Sequence, residues 1–204
     1  MVLVCAVVFL AYLPPGATPP ERDQSLEAGT ASAVVRDTTV PAYDVTEIER
    51  LIHLRVNVER TDRSLDSLSQ ADSLRPLGRM HSRDMAQRGF FGHSNPDGEG
   101  VNERAARLGL TCERAIDERT TATGFGENLY RGTLFTRYRD VIQNGERLRR
   151  EFDWKTEEGI ARDVVGGWMD SPGHRANILE PLYATQRIAV YVDGTDFFVT
   201  QIFC

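Results

Sequence analysis

Residues 168–179 read WMDSPGHRANIL, and the fold turns on how this stretch is parsed. Upstream of it, Ile160, Ala161, Val164, Val165 and Trp168 recur at helical spacing, which gives an amphipathic helix over about 157–170. Ser171-Pro172 then supplies an N-cap and a first helical position, where proline's missing amide hydrogen costs nothing. A short helix over GHRANIL follows, with His174 in its first turn. The positive end of a helix dipole disfavours imidazolium there, and a neutral imidazole can accept a hydrogen bond or bind a metal. Beyond it, QRIAVYVDG and TDFFVTQIFC read as two strands joined by a turn at Asp193-Gly194. Helices lead and strands close the chain, so the class is α+β rather than alternating α/β.

Working toward the N-terminus, Val45, Ile48, Leu51, Ile52 and Val56 predict a helix over about 45–61, with Asp44 as its N-cap. A second helix runs from about Leu74 to Arg88, with Pro76 in its first turn and Leu74, Leu77, His81 and Met85 as its buried stripe. VNERAARLG is a short helix stopped by Gly109, and a strand lies within 123–132 around GENLY. The charged stretch 133–156, which contains RYRDVIQNGERLRREF, is compatible with a helix and reads as an insertion.

The chain has 204 residues, 41% of them hydrophobic, enough for one ordinary domain and some extra chain. Its net charge of −6 argues against nucleic acid as a partner. The first thirteen residues, MVLVCAVVFLAYL, are uncharged and apolar but shorter than the ~20 that span a bilayer. A signal peptide or N-terminal membrane anchor is expected over 1–20, which places the protein outside the cell or at its surface. The other reading, a buried helix of the fold, is opposed by Pro14, Pro15, Pro19 and Pro20. Residues 21–43 read as a disordered linker and 44–204 as the domain. With Cys5 in the apolar run, Cys112 and Cys204 fit one disulfide closing a long loop. No CxxC pair supports a thiolate zinc site.

Four histidines remain to be placed. His53, four residues after Glu49, reads as half of a surface pair, and His81 as a core histidine bonded to a backbone carbonyl. His93 in GFFGHSNPDG and His174 differ, because each sits in a loop bracketed by glycine and proline beside a helix. Glu127, in GFGENLY, is the carboxylate that can join them in one polar cluster outside which His53 and His81 should lie.

In this order GFFGHSNPDG, GENLY, WMDSPGHRANIL and FVTQIFC resemble the prokaryotic branch of the CAP superfamily: cysteine-rich secretory proteins, antigen 5 and pathogenesis-related proteins, also called the SCP domain. IERLIHLRVNVER and MHSRDMAQRGFF extend the resemblance to roughly 47–204. It implies a three-layer α-β-α sandwich with a small antiparallel sheet and a cleft lined by two histidines and two acidic residues. His93, Glu127 and His174 match three of the four. The place of the second acid holds Ser171, with Asp170 adjacent but turned by about 100° around a helix.

The resemblance implies a non-catalytic binding module for a small ligand, lipid or cell-surface component, with the N-terminus as the route of any membrane attachment. His93 and His174 would be the metal ligands if Zn²⁺ or another divalent cation binds. The alternative is a metal-assisted hydrolase with Glu127 as general base. A third reading has the cluster bonded internally, cementing loops.

Overall fold

The computed structural model describes residues 39–204; the expected signal or anchor over 1–20, and the linker as far as residue 38, lie outside the described residues. Val40 and Tyr43 already pack against the core, and Tyr43 Oη donates to the carbonyl of Lys155 at 2.9 Å. Helix α1 (Val45–Thr61) starts where the Asp44 carboxylate accepts from the amides of Thr46 and Glu47. Helix α2 (Arg75–Arg88) has Pro76 in its first turn and ends at Gly89, whose φ of 68° is the left-handed conformation glycine adopts without strain. Helix α3 (Val101–Arg107) is short, α4 (Glu157–Asp170) is capped by Thr156, and α5 (Pro172–Ile178) follows directly.

The main sheet has four strands: β1 (Ser69–Gln70), β4 (Gly126–Thr133), β7 (Thr185–Asp193) and β8 (Asp196–Phe203), in the order β1-β7-β8-β4. Only β1 pairs in parallel. Strands β2 (Glu113–Ala115) and β3 (Thr121–Thr123) form a separate small ribbon.

Strand alternation divides the sheet into two faces. One carries Ile188, Val190, Phe197, Val199 and Phe203 against Ile48, Ile52 and Val56 of α1 and Ile160, Val164 and Trp168 of α4. Trp168 is fully buried, and its indole donates to the carbonyl of Leu129 at 2.9 Å. The opposite face meets α2, where Leu77 packs with Ile202, and Met85 with Leu129 and Phe198. A Cβ on Gly78 would lie 3.0 Å from that of Ala189, so glycine lets α2 approach the sheet closely. The result is the α-β-α sandwich, held mainly by side chains worth roughly 1.5–3 kcal/mol each on full burial. Cys112 and Cys204 form the disulfide, 92 residues apart in sequence and 5.6 Å apart at Cα.

Two expectations are corrected. The stretch 133–156 is no helix: β5 (Phe135–Gln143) and β6 (Glu146–Trp154) form an antiparallel hairpin. Asn144 and Gly145, with φ of 52° and 84°, make the two-residue turn that matches the twist of a hairpin. Arginine–carboxylate pairs such as Arg150–Asp140 and Arg139–Glu151 bridge the two strands, so the charges that suggested a helix serve a ribbon. Nor are Glu49 and His53 a surface pair. Glu49 is buried, accepting from the amide of Val190 at 3.2 Å and lying 3.4 Å from Arg75 and 3.5 Å from Arg187. His53 turns to the sheet instead, where Gln186 Nε2 lies 2.9 Å from its Nδ1.

Candidate functional site

Strand β4 is one of the two edge strands of the main sheet, and its consecutive residues Glu127 and Asn128 point to opposite faces. Gly126 precedes them because a Cβ there would lie 2.2 Å from the hydroxyl of Tyr183. On the α2 side, Glu127 Oε1 accepts from His93 Nδ1 at 2.9 Å, and Oε2 accepts from Arg104 at 2.5 Å. On the α5 side, Asn128 Nδ2 donates to the backbone carbonyl of His174 at 3.1 Å. Asn177 completes this clasp, donating to Asn128 Oδ1 at 2.9 Å and to the Glu127 carbonyl at 3.1 Å. Each residue of the pair thus secures one of the two histidine segments.

The His93 loop is stiffened from within. Asn95 Oδ1 accepts from the amides of Asp97 and Glu99, and Asn95 Nδ2 donates to Glu99 at 2.8 Å. Arg104 ties the loop to β4, because the guanidinium that holds Glu127 also donates to the carbonyls of His93 and Glu99. Arg104 and Glu127 side chains are each only 3% exposed, so the pair is a desolvated, charge-assisted bond. With its Nδ1 hydrogen given to Glu127, the neutral form of His93 has Nε2 as its acceptor, on a side chain 58% exposed.

The His93 and His174 rings face each other with centroids 6.2 Å apart and a 53° tilt. Burial, and next the neighbouring His93, push the His174 pKa down, so its neutral form is favoured. His81 does donate to a backbone carbonyl, that of Gly92 at 3.0 Å, and burial lowers its pKa. It does not lie clear of the cluster, however, since its Nε2 is 4.0 Å from Glu127 Oε1. Asp170 is exposed at the end of α4, and its side chain makes no hydrogen bond or ion pair among the described residues. A cavity of about 340 Å³ opens beside the cluster, between α2 and the His93 loop. Its lining includes His81, Asn95 and Arg104 but neither His93 nor His174.

Among the described residues, no group of three or more His, Cys, Asp and Glu is arranged to hold a metal ion. Both oxygens of Glu127 are engaged, so the donors left for a cation are the two imidazoles. Arg104 and Asn128 are not singled out by the sequence reading. A signal for Arg104 is present: it follows Val101 by three and precedes Leu108 by four, which puts a charge on the apolar stripe of α3.

A family model described as CAP, the cysteine-rich secretory protein family, matches residues 54–203. The chain is 26% identical over 181 residues to the uncharacterized protein YkwD of Bacillus subtilis (strain 168), covering 89% of this chain and 56% of that protein. It therefore spans little more than half of that relative. An extracellular protein containing a SCP domain, from Bacillus anthracis str. Ames, superposes with a TM-score of 0.53 at 20% identity, over 81% of this chain and 44% of that one. An outer surface protein from Borrelia burgdorferi gives the same TM-score at 16% identity, over 78% of this chain and 94% of its own. At these identities the structural likeness speaks for the fold alone.

Proposed function

This chain belongs to the cysteine-rich secretory protein (CAP) family, and on that premise we propose that it is an exported, non-catalytic binding module whose His93–His174 pair captures a small polar ligand. The observation that carries this reading is the Arg104–Glu127–His93 chain of bonds. It commits the carboxylate, fixes the tautomer of the neutral His93 ring and leaves its Nε2 to accept beside the His174 ring. Export is supported by two structural relatives that are described as extracellular and outer surface proteins.

The same arrangement weighs against the hydrolase reading. A general base needs a free oxygen, and both oxygens of Glu127 are taken, one by the Arg104 guanidinium and the other by His93. Among the described residues a divalent cation at this site would find His93 and His174 as ligands, its other positions falling to solvent or to the ligand itself.

Isothermal titration with Zn²⁺ tests the imidazole pair. Wild-type protein should bind at one site, and His93→Ala and His174→Ala should each weaken it at least about tenfold, the scale expected for losing a metal contact. Unchanged affinity in both variants would remove the pair from the site. A wild type that ignores zinc would confine it to hydrogen-bonding ligands.

A further inference from the structure

A row of amide side chains crosses the sheet beneath the site. Asn128 on β4, Gln201 on β8 and Gln186 on β7 are each 0% exposed. Asn128 sits directly opposite Gln201 in the ladder, and Gln201 faces Ile188, one pleat from Gln186. Asn128 Nδ2 donates to Gln201 Oε1 at 3.1 Å, Gln201 Nε2 to Gln186 Oε1 at 2.6 Å, and Gln186 Nε2 to His53 Nδ1 at 2.9 Å.

The direction of this row is forced at one end. Asn128 must keep Nδ2 toward the His174 carbonyl and Oδ1 toward Asn177, whose own NH₂ is held by the Glu127 carbonyl. Every amide behind it then points the same way, and the row terminates on the lone pair of His53 Nδ1. With Nδ1 accepting, the other ring nitrogen carries the hydrogen of the neutral ring and faces the Asn57 NH₂, 3.3 Å away, donor to donor. Asn57 cannot turn to meet it, because its amide exchanges two hydrogen bonds with the Leu68 backbone.

We propose that this relay makes His53 a protonation sensor for the His174 segment: a proton on His53 Nδ1 turns Gln186 and Gln201 together and so moves the lost bond to Asn128, the residue that clasps His174. Imidazolium and Gln186 Nε2 would be two donors face to face. If Gln186 turns to offer Oε1, its NH₂ meets that of Gln201. If Gln201 turns in response, its NH₂ meets that of Asn128, which cannot follow. The bond lost is Gln186–His53 if neither glutamine turns, Gln201–Gln186 if Gln186 turns alone and Asn128–Gln201 if both turn, and in each case a buried NH₂ is left facing another donor.

Charged groups on the packed elements do not bond to His53. Glu49 of α1, Arg75 of α2, Arg187 of β7 and Asp72, which precedes α2, are tied to one another. Burial lowers the His53 pKa. The functional consequence rests on the reading of His93 and His174 as the binding site; the relay does not.

Nuclear magnetic resonance on the full chain without metal tests it, following the His53 ring and the side-chain NH₂ signals of Asn128, Gln186 and Gln201 from neutral to acid pH. All three amides should shift with the His53 midpoint. In Gln186→Met, His53 should still titrate while Asn128 no longer follows. Asn128 signals that stay fixed while His53 titrates in the wild type would overturn the proposal, as would a His53 that stays neutral until the protein unfolds. Neither result bears on the zinc titration, so failure here and failure of the binding reading are separable.

Discussion

The Arg104 guanidinium lies 2.5 Å from the Glu127 carboxylate with both side chains almost wholly withdrawn from water. An ion pair in that setting gives modest net stability while both partners are present and costs heavily when one is removed.

Replacing Arg104 with Met should therefore destabilise the protein by about 3–5 kcal/mol, because Glu127 stays buried without its cation. The double variant Arg104→Met/Glu127→Leu should recover part of that loss. Urea unfolding of both variants checks this, and a single variant within about 0.5 kcal/mol of wild type would show the pair is not buried as described.

Stability should fall as solutions are acidified from pH 7 to pH 5. His53, His81 and His174 are all lowered by burial from the ordinary histidine value, so each contributes stability that is present above about 6.5 and lost as pH drops through its folded-state pKa. Glu49, raised by burial, works in the opposite sense at the acid end of this window. The midpoint of urea unfolding measured against pH should show the decline, and His81→Asn should flatten it.

Gly126→Ala should cost about 1–3 kcal/mol, the usual scale for forcing atoms into a filled space. The added methyl would sit 2.2 Å from the Tyr183 hydroxyl and 2.8 Å from its ring, and Tyr183 is itself stacked on Phe203. Thermal unfolding reads the effect, and an unchanged midpoint would mean Tyr183 moves aside freely.

Reduction of Cys112–Cys204 should lower stability by up to about 4–5 kcal/mol on chain-entropy grounds, since the bridge closes a long loop. Thermal melts with and without reductant, compared with Cys112→Ser/Cys204→Ser, measure it. Identical melts would show that the bridge adds nothing.

Much of this architecture can be read from spacing. The five helices and the last two strands follow from apolar periodicity and from Asp44, Pro76 and Ser171-Pro172 as boundary residues. The hairpin at 135–154 escapes such a reading because its outward charges imitate a solvated helix, although Asn144-Gly145 is a strong turn signal. At the site, His93, Glu127 and His174 stand out because loop histidines and a glycine-flanked carboxylate are conspicuous. What spacing hides is pairing across the fold. Nothing local says that Arg104 meets Glu127, or that Glu49 and His53 turn inward, since those partners are 23 to 141 residues away.

Neighbouring residues that serve opposite faces of one edge strand have an outcome for sequence change by insertion and deletion. Inserting a single residue between Gly126 and Glu127 would exchange the faces of Glu127 and Asn128, sending the carboxylate toward α5 and the amide toward Arg104, and deleting either residue would remove one of the pair outright. The same change in the Asn144-Gly145 turn would alter only the tip of a hairpin. A library of one-residue insertions should thus be purged in β4 and persist at the hairpin tip, so that length variation in this chain is confined by the register of one short strand.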